Sequence, residues 1–330
     1  MESIISHLKK SKHILIASHE NPDGDAIGSL LATGLALQSI GKKTSLFNES
    51  KIPAVYRFIP KVNAIIRNIN NLTYYDTAII LDCGDLNRIG RFASAISQVP
   101  LIINIDHHET NTLFGDLQFV DVTACATAEI IYHLIHKMKV PLNKDIATAL
   151  YAGILTDTGS FRFSNTNQNT FAICKDLVEY GVEPYQVAQY VYGTYSLGRI
   201  KLLNLALDSI EISQNGLLSI MTVTQKMLCE TKTQAEDADG LINYARRIED
   251  VKVAALIHEL DTSESGKDKI RRFHVSLRSD GSLNVAQIAA EFGGGGHSSA
   301  AGFSIESSLA DLKVKINDSA KKLMAPCILN

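Results

Sequence analysis

Along the first half of the chain, short apolar runs alternate with stretches of helical periodicity. Runs at 14–17 (ILIA), 44–47 (TSLF), 78–81 (AIIL) and 101–105 (LIINI) are short and rich in β-branched residues. Nearly continuous apolar runs of this length predict parallel strands covered on both faces. After Asp25, the apolar residues Ile27, Leu30, Leu31 and Leu35 recur at helical spacing, and Gly41 is the expected stop. Further helices are predicted around 124–139 and from an N-cap at Asn143 through Thr156. This alternation predicts an α/β fold: a mostly parallel open sheet with helices on both faces. Ligands of such sheets sit outside the carboxyl ends of the strands.

The second half has a different rhythm. A stretch at 187–207 (VAQYVYGTYSLGRIKLLNLAL) predicts a linking helix broken near Gly193. Strands are predicted at 217–223, 251–257 and 273–279, with helices near 236–247 and 284–292. A glycine run at 293–296, a strand at 302–305 and a final helix from Ser308 complete the pattern. The expected organisation is an N-terminal domain at 1–186, a helical linker at 187–210 and a smaller α+β domain at 211–330. The charge-rich stretch 261–272 (DTSESGKDKIRR) predicts a solvated hairpin tip.

At 330 residues the chain is long enough for two cores. Its net charge of -3 argues against a broad basic face that coats long nucleic acid, while a short nucleic-acid ligand in a local pocket stays allowed. Five cysteines without CxxC spacing predict free thiols in a reducing compartment. Charged Lys9, Lys10 and Lys12 interrupt the first apolar run, and no stretch is long enough to span a bilayer. A cytoplasmic protein without a membrane partner is expected.

Chemistry-bearing residues recur where apolar runs end. His19, Asp23 and Asp25 stand at the handover from the first strand to the first long helix (ASHENPDGDAIGS). Asp82 closes AIIL, Asp106, His107 and His108 close LIINI, and Asp157 lies near a helix end (AGILTDTGSF). Any one such Asp is ordinarily a turn residue or a cap. Gathered at one sheet edge, so many carboxylates would raise one another's pKa unless metal ions sat among them. Asp and His without thiolates suit Mn²⁺, with Mg²⁺, Co²⁺ or Zn²⁺ less favoured.

These motifs, in this order, resemble the DHH phosphoesterase family: "HENPDGDAIGS", "LDCGD", "DHH" and "TDTGSF". The C-terminal "FGGGGHSSAAG", preceded by "SLRS", resembles that family's type-1 DHH-associated domain. "DHHETN" and "TDTGSFRFSNT" together resemble its oligoribonuclease/pAp phosphatase (nanoRNase) branch. The resemblance implies that His19, Asp23 and Asp82 hold one metal, and that Asp25, Asp82, His107 and Asp157 hold a second, with Asp82 bridging. It implies that His108 faces the substrate phosphate and that Asp106 orients the histidines.

Four successive glycines lack Cβ atoms, so their N–H groups can approach an anion closely. By resemblance, Gly294, Gly295, Gly296 and His297 bind the nucleotide part of the substrate, with Arg278 as a phosphate or base contact. Strand alternation puts Ser276 and Arg278 on one face, so Arg278 is either functional or at a sheet edge. Arg199 and Arg246 are weaker candidates.

The implied activity is two-metal hydrolysis of short oligoribonucleotides to nucleoside monophosphates, together with conversion of 3′-phosphoadenosine 5′-phosphate (pAp) to AMP. The alternatives are a cyclic di-AMP or pApA phosphodiesterase and a non-catalytic nucleotide sensor. Long nucleic acid is not an expected partner, and a homodimer is compatible with this reading.

Overall fold

The computed structural model describes residues 1–193, 195–260 and 271–324. Its contacts divide the chain into two compact units, Met1–Thr194 and Tyr195–Asn330. The first unit runs α1 (Glu2–Lys10), β1 (His13–Ser18), α2 (Gly24–Ser39), β2 (Lys43–Phe47), β3 (Ile65–Ile66), β4 (Thr77–Leu81) and α3 (Ala93–Ile96). It continues through β5 (Ile102–Asp106), β6 (Leu117–Val120), α4 (Thr127–Lys137), α5 (Lys144–Asp157), α6 (Gln168–Glu179) and α7 (Pro184–Tyr192).

Its six strands pair entirely in parallel, in the order β3-β2-β1-β4-β5-β6. The chain winds outward from β1 to β3, then returns to the other side of β1 to lay down β4. A topological switch point therefore lies between β1 and β4, where open α/β sheets bind ligands.

Every residue of β4 and β5 is buried, as the unbroken apolar runs require. Ile14, Ile16, Ile79, Leu81, Ile103 and Ile105 pack in one core with residues of α2, α4 and α5. Leu15, Ala17, Ala78 and Ile80 belong to a second core. That second face is covered by one-turn α3 and 3₁₀ turns rather than by long helices. Strands β3 and β6 left no clear mark in the pattern. The first has two residues, and most of the second is only partly buried.

Two glycines bring the helices together beside the switch point. A Cβ on Gly28 of α2 would lie 2.4 Å from the Ala149 carbonyl of α5. One on Gly153 of α5 would lie 2.8 Å from Ala128 Cβ and 2.9 Å from Asp25 Oδ1. Overpacking at such contacts costs about 1–3 kcal/mol. Small residues here let α5 deliver Asp157 close to the start of α2.

The second unit comprises α8 (Leu197–Asp208), β7 (Glu211–Ile212), β8 (Leu218–Val223), α9 (Gln225–Thr231), α10 (Ile242–Arg246) and β9 (Val253–Glu259). After these come β10 (Arg271–Ser279), α11 (Val285–Glu291), β11 (Gly295–Gly296), β12 (Ala300–Ser307) and α12 (Leu309–Met324). The sheet order is β11-β12-β10-β9-β8-β7, antiparallel except for the parallel pair β8 and β9. Ala255, Ile257, Val275 and Leu277 face one core, with Ile288 of α11 and Ile316 of α12. Ala254 and Leu256 face the other, with Leu202 of α8 and Ile242 of α10.

The helix expected at 236–247 is interrupted. A 3₁₀ turn at Ala235–Ala238 and the short α10 flank Gly240, whose φ of 81° a right-handed helix cannot contain. The stretch expected to link two domains divides between the units. Helix α7 ends at Gly193 and buries Val187 and Val191 in the first core, whereas α8 buries Leu202 and Ala206 in the second unit. Of the expected hairpin tip, 261–270 lies outside the described residues, and Arg271 and Arg272 begin β10. Cys83, Cys125, Cys174 and Cys229 are free thiols, and Cys327 lies outside the described residues. Among the described residues, no helix is long and apolar enough to cross a membrane.

Candidate metal centre

The carboxyl ends of β1, β4 and β5 meet at the switch point, and each delivers charged or imidazole side chains. After β1, Asp23 caps α2: its Oδ1 accepts the N–H groups of Asp25 and Ala26, both at 3.0 Å. Capping is therefore real, and it accounts for one oxygen of one carboxylate. After β4, buried Asp82 adopts a left-handed φ of 53°, with its N–H bonded to the Ile105 carbonyl at 3.1 Å. A non-glycine residue held in this region is sparsely populated and needs support from its surroundings.

Three groups form from these residues, each with donor atoms mutually within 4.8 Å: His19, Asp23 and Asp82; Asp25, His107 and Asp157; and Asp82, His107 and His108. Asp82 and His107 each belong to two groups. His19 Nε2 lies 3.6 Å from Asp82 Oδ2. His107 Nε2 lies 3.6 Å from Asp157 Oδ2, 3.8 Å from Asp82 Oδ1 and 4.0 Å from Asp25 Oδ2. These separations exceed hydrogen-bond length and suit ligands of a shared cation.

The imidazoles are oriented for ligation. His19 Nδ1 is 2.8 Å from the Glu20 carbonyl and His107 Nδ1 is 3.3 Å from that of Ala124. A carbonyl only accepts, so each Nδ1 carries a proton, and each Nε2 is the ring nitrogen that faces the carboxylates.

The electrostatics ask for positive charge. Burial, and then the charges of Asp82, Asp157 and Asp23, push the Asp25 carboxyl well above its usual range. Burial pushes Asp157 up to about 7; His107 partly opposes this, and Asp23 and Asp82 add to it. Asp82 moves the other way. Burial would raise it, but the nearby His19, His108 and His107 hold it below the carboxylate range. Imidazole nitrogens on one side and mutually repelling carboxylates on the other fit divalent cations.

A pH dependence follows for the metal-free protein. Carboxyls with raised pKa retain protons that the unfolded chain releases, so their contribution to stability declines as pH rises toward 7. His108 is raised to about 9: burial opposes protonation, but Asp106 and Asp82 outweigh it. That histidine's contribution is complete below its unfolded pKa and is lost as pH rises through 9. Both slopes have the same sign. The metal-free melting temperature is expected to fall from about pH 5 to about pH 9, and a saturating divalent cation to flatten the fall. Calorimetric scans with chelator and with cation would check this, and a metal-free melting temperature that rises across the window would refute it.

Asp106 orients one of the two histidines rather than both. Its Oδ1 lies 2.7 Å from His108 Nδ1, and its Oδ2 accepts from Asn111 Nδ2 at 2.6 Å. His107 is held instead by the Ala124 carbonyl. Several supporting residues escaped the sequence reading. Asp25 accepts from the Thr127 N–H at 2.6 Å, the Ala128 N–H at 2.9 Å and the Ser29 hydroxyl at 3.1 Å. Thr127 Oγ1 donates to Asp82 Oδ1 at 3.1 Å, and Asn165 Nδ2 reaches Asp157 Oδ2 at 3.3 Å. Backbone donors carry no side-chain signature. Thr127 could have been noticed as a polar residue where a helix begins, but the helix was expected to start at Ala124.

In the second unit, Arg278 lies in β10, between β12 and β9, and therefore not at a sheet edge. It shares a face with His274 and Ser276, and the alternate residues Val275 and Leu277 are buried. Burial, and then neighbouring Arg246, lower the pKa of its guanidinium. Arg199 donates to the Asp239 carbonyl at 2.6 Å, which ties α8 to the loop before α10.

The glycine run serves packing as well as any ligand. A Cβ on Gly294 would lie 2.2 Å from the Gly302 carbonyl, and one on Gly296 would lie 2.5 Å from that of Ala300. Gly293 and Gly294 donate their N–H groups to the Ala290 and Ala289 carbonyls at the end of α11, at 3.1 and 2.9 Å. Gly295 and Gly296 pair with β12 as the short β11. The expectation that successive glycine N–H groups face an anion is thus corrected at Gly293 and Gly294, because the helix end uses them.

Comparison with known proteins identifies the family. Residues 13–154 match the model of the DHH family, N-terminal domain, and residues 220–325 match that of the DHHA1 domain. The bifunctional oligoribonuclease and PAP phosphatase NrnA of Thermus thermophilus is 33% identical over 296 residues, covering 89% of this chain and 84% of that protein. The protein of the same name from Bacillus subtilis is 29% identical over 299 residues, covering 89% and 90%. The crystal structure of an exopolyphosphatase-related protein from Bacteroides fragilis superposes with a TM-score of 0.89 at 25% identity, covering 100% of this chain and 98% of that one. With both domain types matched in order, and with a relative this similar over most of both lengths, the chain belongs to the DHH family of phosphoesterases.

Proposed function

We propose that this protein is a two-metal phosphoesterase that hydrolyses short oligoribonucleotides to nucleoside monophosphates and converts pAp to AMP. The observation that carries this reading is its similarity, over most of both chains, to relatives named as bifunctional oligoribonuclease and PAP phosphatase. The donor groups around Asp82 and His107 support it, since each role such a hydrolase needs has a candidate side chain.

In this reading His19, Asp23 and Asp82 hold one cation, and Asp25, Asp82, His107 and Asp157 hold the other. Mn²⁺ is the preferred metal for a donor set of carboxylates and imidazoles without thiolates. When bound, the pair lowers the pKa of a water and neutralises charge that develops on the phosphoryl oxygens. The protein's own groups do the rest. Asp23 and Asp25 leave one turn toward different groups, which fixes their relative placement. His108, kept cationic by Asp106, donates a hydrogen bond to a phosphoryl oxygen. Water adds to phosphorus, the bond from phosphorus to the 3′ oxygen breaks, and the departing oxygen takes up a proton. Residues 1–186 supply this chemistry, while Arg278, Gly295, Gly296 and His297, within 211–330, hold the nucleotide.

The net charge of -3 bears on substrate length. Long strands gain affinity from many phosphate contacts, each needing a cation. A steep preference for oligonucleotides of a few residues is expected. Side-by-side incubation with pApA, pAp, cyclic di-AMP and a long single strand, all with Mn²⁺, tests it. Equal turnover of the long strand and the dinucleotide at physiological salt would overturn the assignment, and cyclic di-AMP as the fastest substrate would replace it with a cyclic-dinucleotide phosphodiesterase.

A further inference from the structure

In the proposed centre Asp82 serves two donor groups at once, which requires the plane of its carboxylate to be fixed. Its Oδ2 lies toward His19 Nε2, at 3.6 Å, while its Oδ1 lies toward His107 Nε2, at 3.8 Å, and His108 Nδ1, at 3.7 Å. Rotation about the bond to the carboxylate would exchange or misalign these assignments. The Thr127 hydroxyl, itself fully buried, donates to Oδ1 at 3.1 Å.

The same residue reaches the other group. Thr127 is the first residue of α4, and its N–H donates to Asp25 Oδ2 at 2.6 Å. The next N–H, of Ala128, donates to Asp25 Oδ1 at 2.9 Å. Ala126 makes no side-chain cap bond, so Asp25 of α2 takes over helix-end donors that would otherwise lack partners. A carboxylate is favoured there by the helix dipole as well.

The segment that carries Thr127 is pinned on both sides. Cys125 donates its N–H to buried Glu129 Oε2 at 2.8 Å, and the Cys125 carbonyl accepts from Asn165 Nδ2 at 2.8 Å. The preceding Ala124 carbonyl bonds His107. One short segment thus holds Asp25, Asp82 and His107, and through Asn165 it is tied to Asp157.

We infer that Thr127 is a positioning residue that fixes the Asp82 carboxylate for shared use and thereby couples occupancy of the two metal positions. This rests on the two-metal reading above. Groups that hold metal ligands in place are typically worth ten- to hundred-fold in metal affinity. Thr127→Val deletes the hydroxyl while keeping the shape and the backbone N–H, and Thr127→Ser restores the donor.

The test is titration of chelator-stripped protein with Mn²⁺ by calorimetry, together with low-temperature electron paramagnetic resonance of the loaded protein. Wild type and Thr127→Ser are expected to bind two ions per chain and to show magnetic coupling between them. Thr127→Val is expected to keep the first ion, bind the second about ten- to hundred-fold more weakly, and lose the coupling. A merely structural role would lower the melting temperature without separating the two affinities. If valine prevents folding, Thr127→Ala removes the same hydroxyl without bulk and is read identically. Wild-type affinities and coupling in Thr127→Val would overturn the inference alone. Failure of the wild type to bind Mn²⁺ would overturn the two-metal reading, and this inference with it.

Discussion

Asp82→Asn is expected to lose about a thousand-fold or more of the hydrolysis of every phosphoester substrate, since charge stabilisation by a metal pair is worth several kcal/mol and each 1.36 kcal/mol is a factor of ten. The reason lies in placement. Asp82 belongs to two of the three donor groups, and its oxygens point to His19 on one side and to His107 and His108 on the other. Replacing one oxygen by an amide removes the negative charge and one acceptor with little change in size. Asn also tolerates the left-handed backbone that Asp82 adopts, so the turn after β4 should survive. Activity with saturating Mn²⁺, and the number of ions bound per chain, are the two readouts. Full turnover by Asp82→Asn would remove the shared-ligand reading whatever its melting temperature.

Most of the candidate centre was legible in the sequence because parallel α/β topology converts a sequence regularity into a place. His19 and Asp82 follow the apolar runs of β1 and β4, and Asp106 to His108 end or follow that of β5. Parallel strands all end on the same side, so those residues had to share an edge. Asp157 was harder, because it ends a helix. It joins the others because Gly28 and Gly153 let α2 and α5 approach closely. What stayed hidden acts through the backbone or through tertiary approach. The Thr127 and Ala128 N–H groups that hold Asp25 look like any helix start, and the expected α4 began too early to single them out. In the second unit the glycines were visible and their reason was not. Contact with β12 and the closure of α11 account for Gly293, Gly294 and Gly296 before any ligand is considered.

The proposed division of labour between the two units should separate in kinetics. His107→Ala removes a member of two donor groups, so loss of about a thousand-fold or more is expected on pAp, on a dinucleotide and on a small chromogenic phosphodiester alike. His297→Ala should behave differently. In the second unit its N–H and carbonyl both pair with Ala300, at 2.7 and 3.2 Å, so the backbone turn can persist without the imidazole. The side chain would contribute at most one charge-assisted hydrogen bond to a nucleotide, about 1.5–3 kcal/mol. At about 1.4 kcal/mol per factor of ten, that is a ten- to hundred-fold loss on pAp or a dinucleotide. The chromogenic ester offers no nucleotide to hold and should be hydrolysed nearly as before. Four progress curves, two variants on two substrate classes, decide the matter. Equal losses for His297→Ala on both classes would move His297 into the chemical step and end the assignment of the second unit to nucleotide binding. Retained activity in His107→Ala would instead break the two-metal centre. Because the two failures fall on different variants, neither can be mistaken for the other.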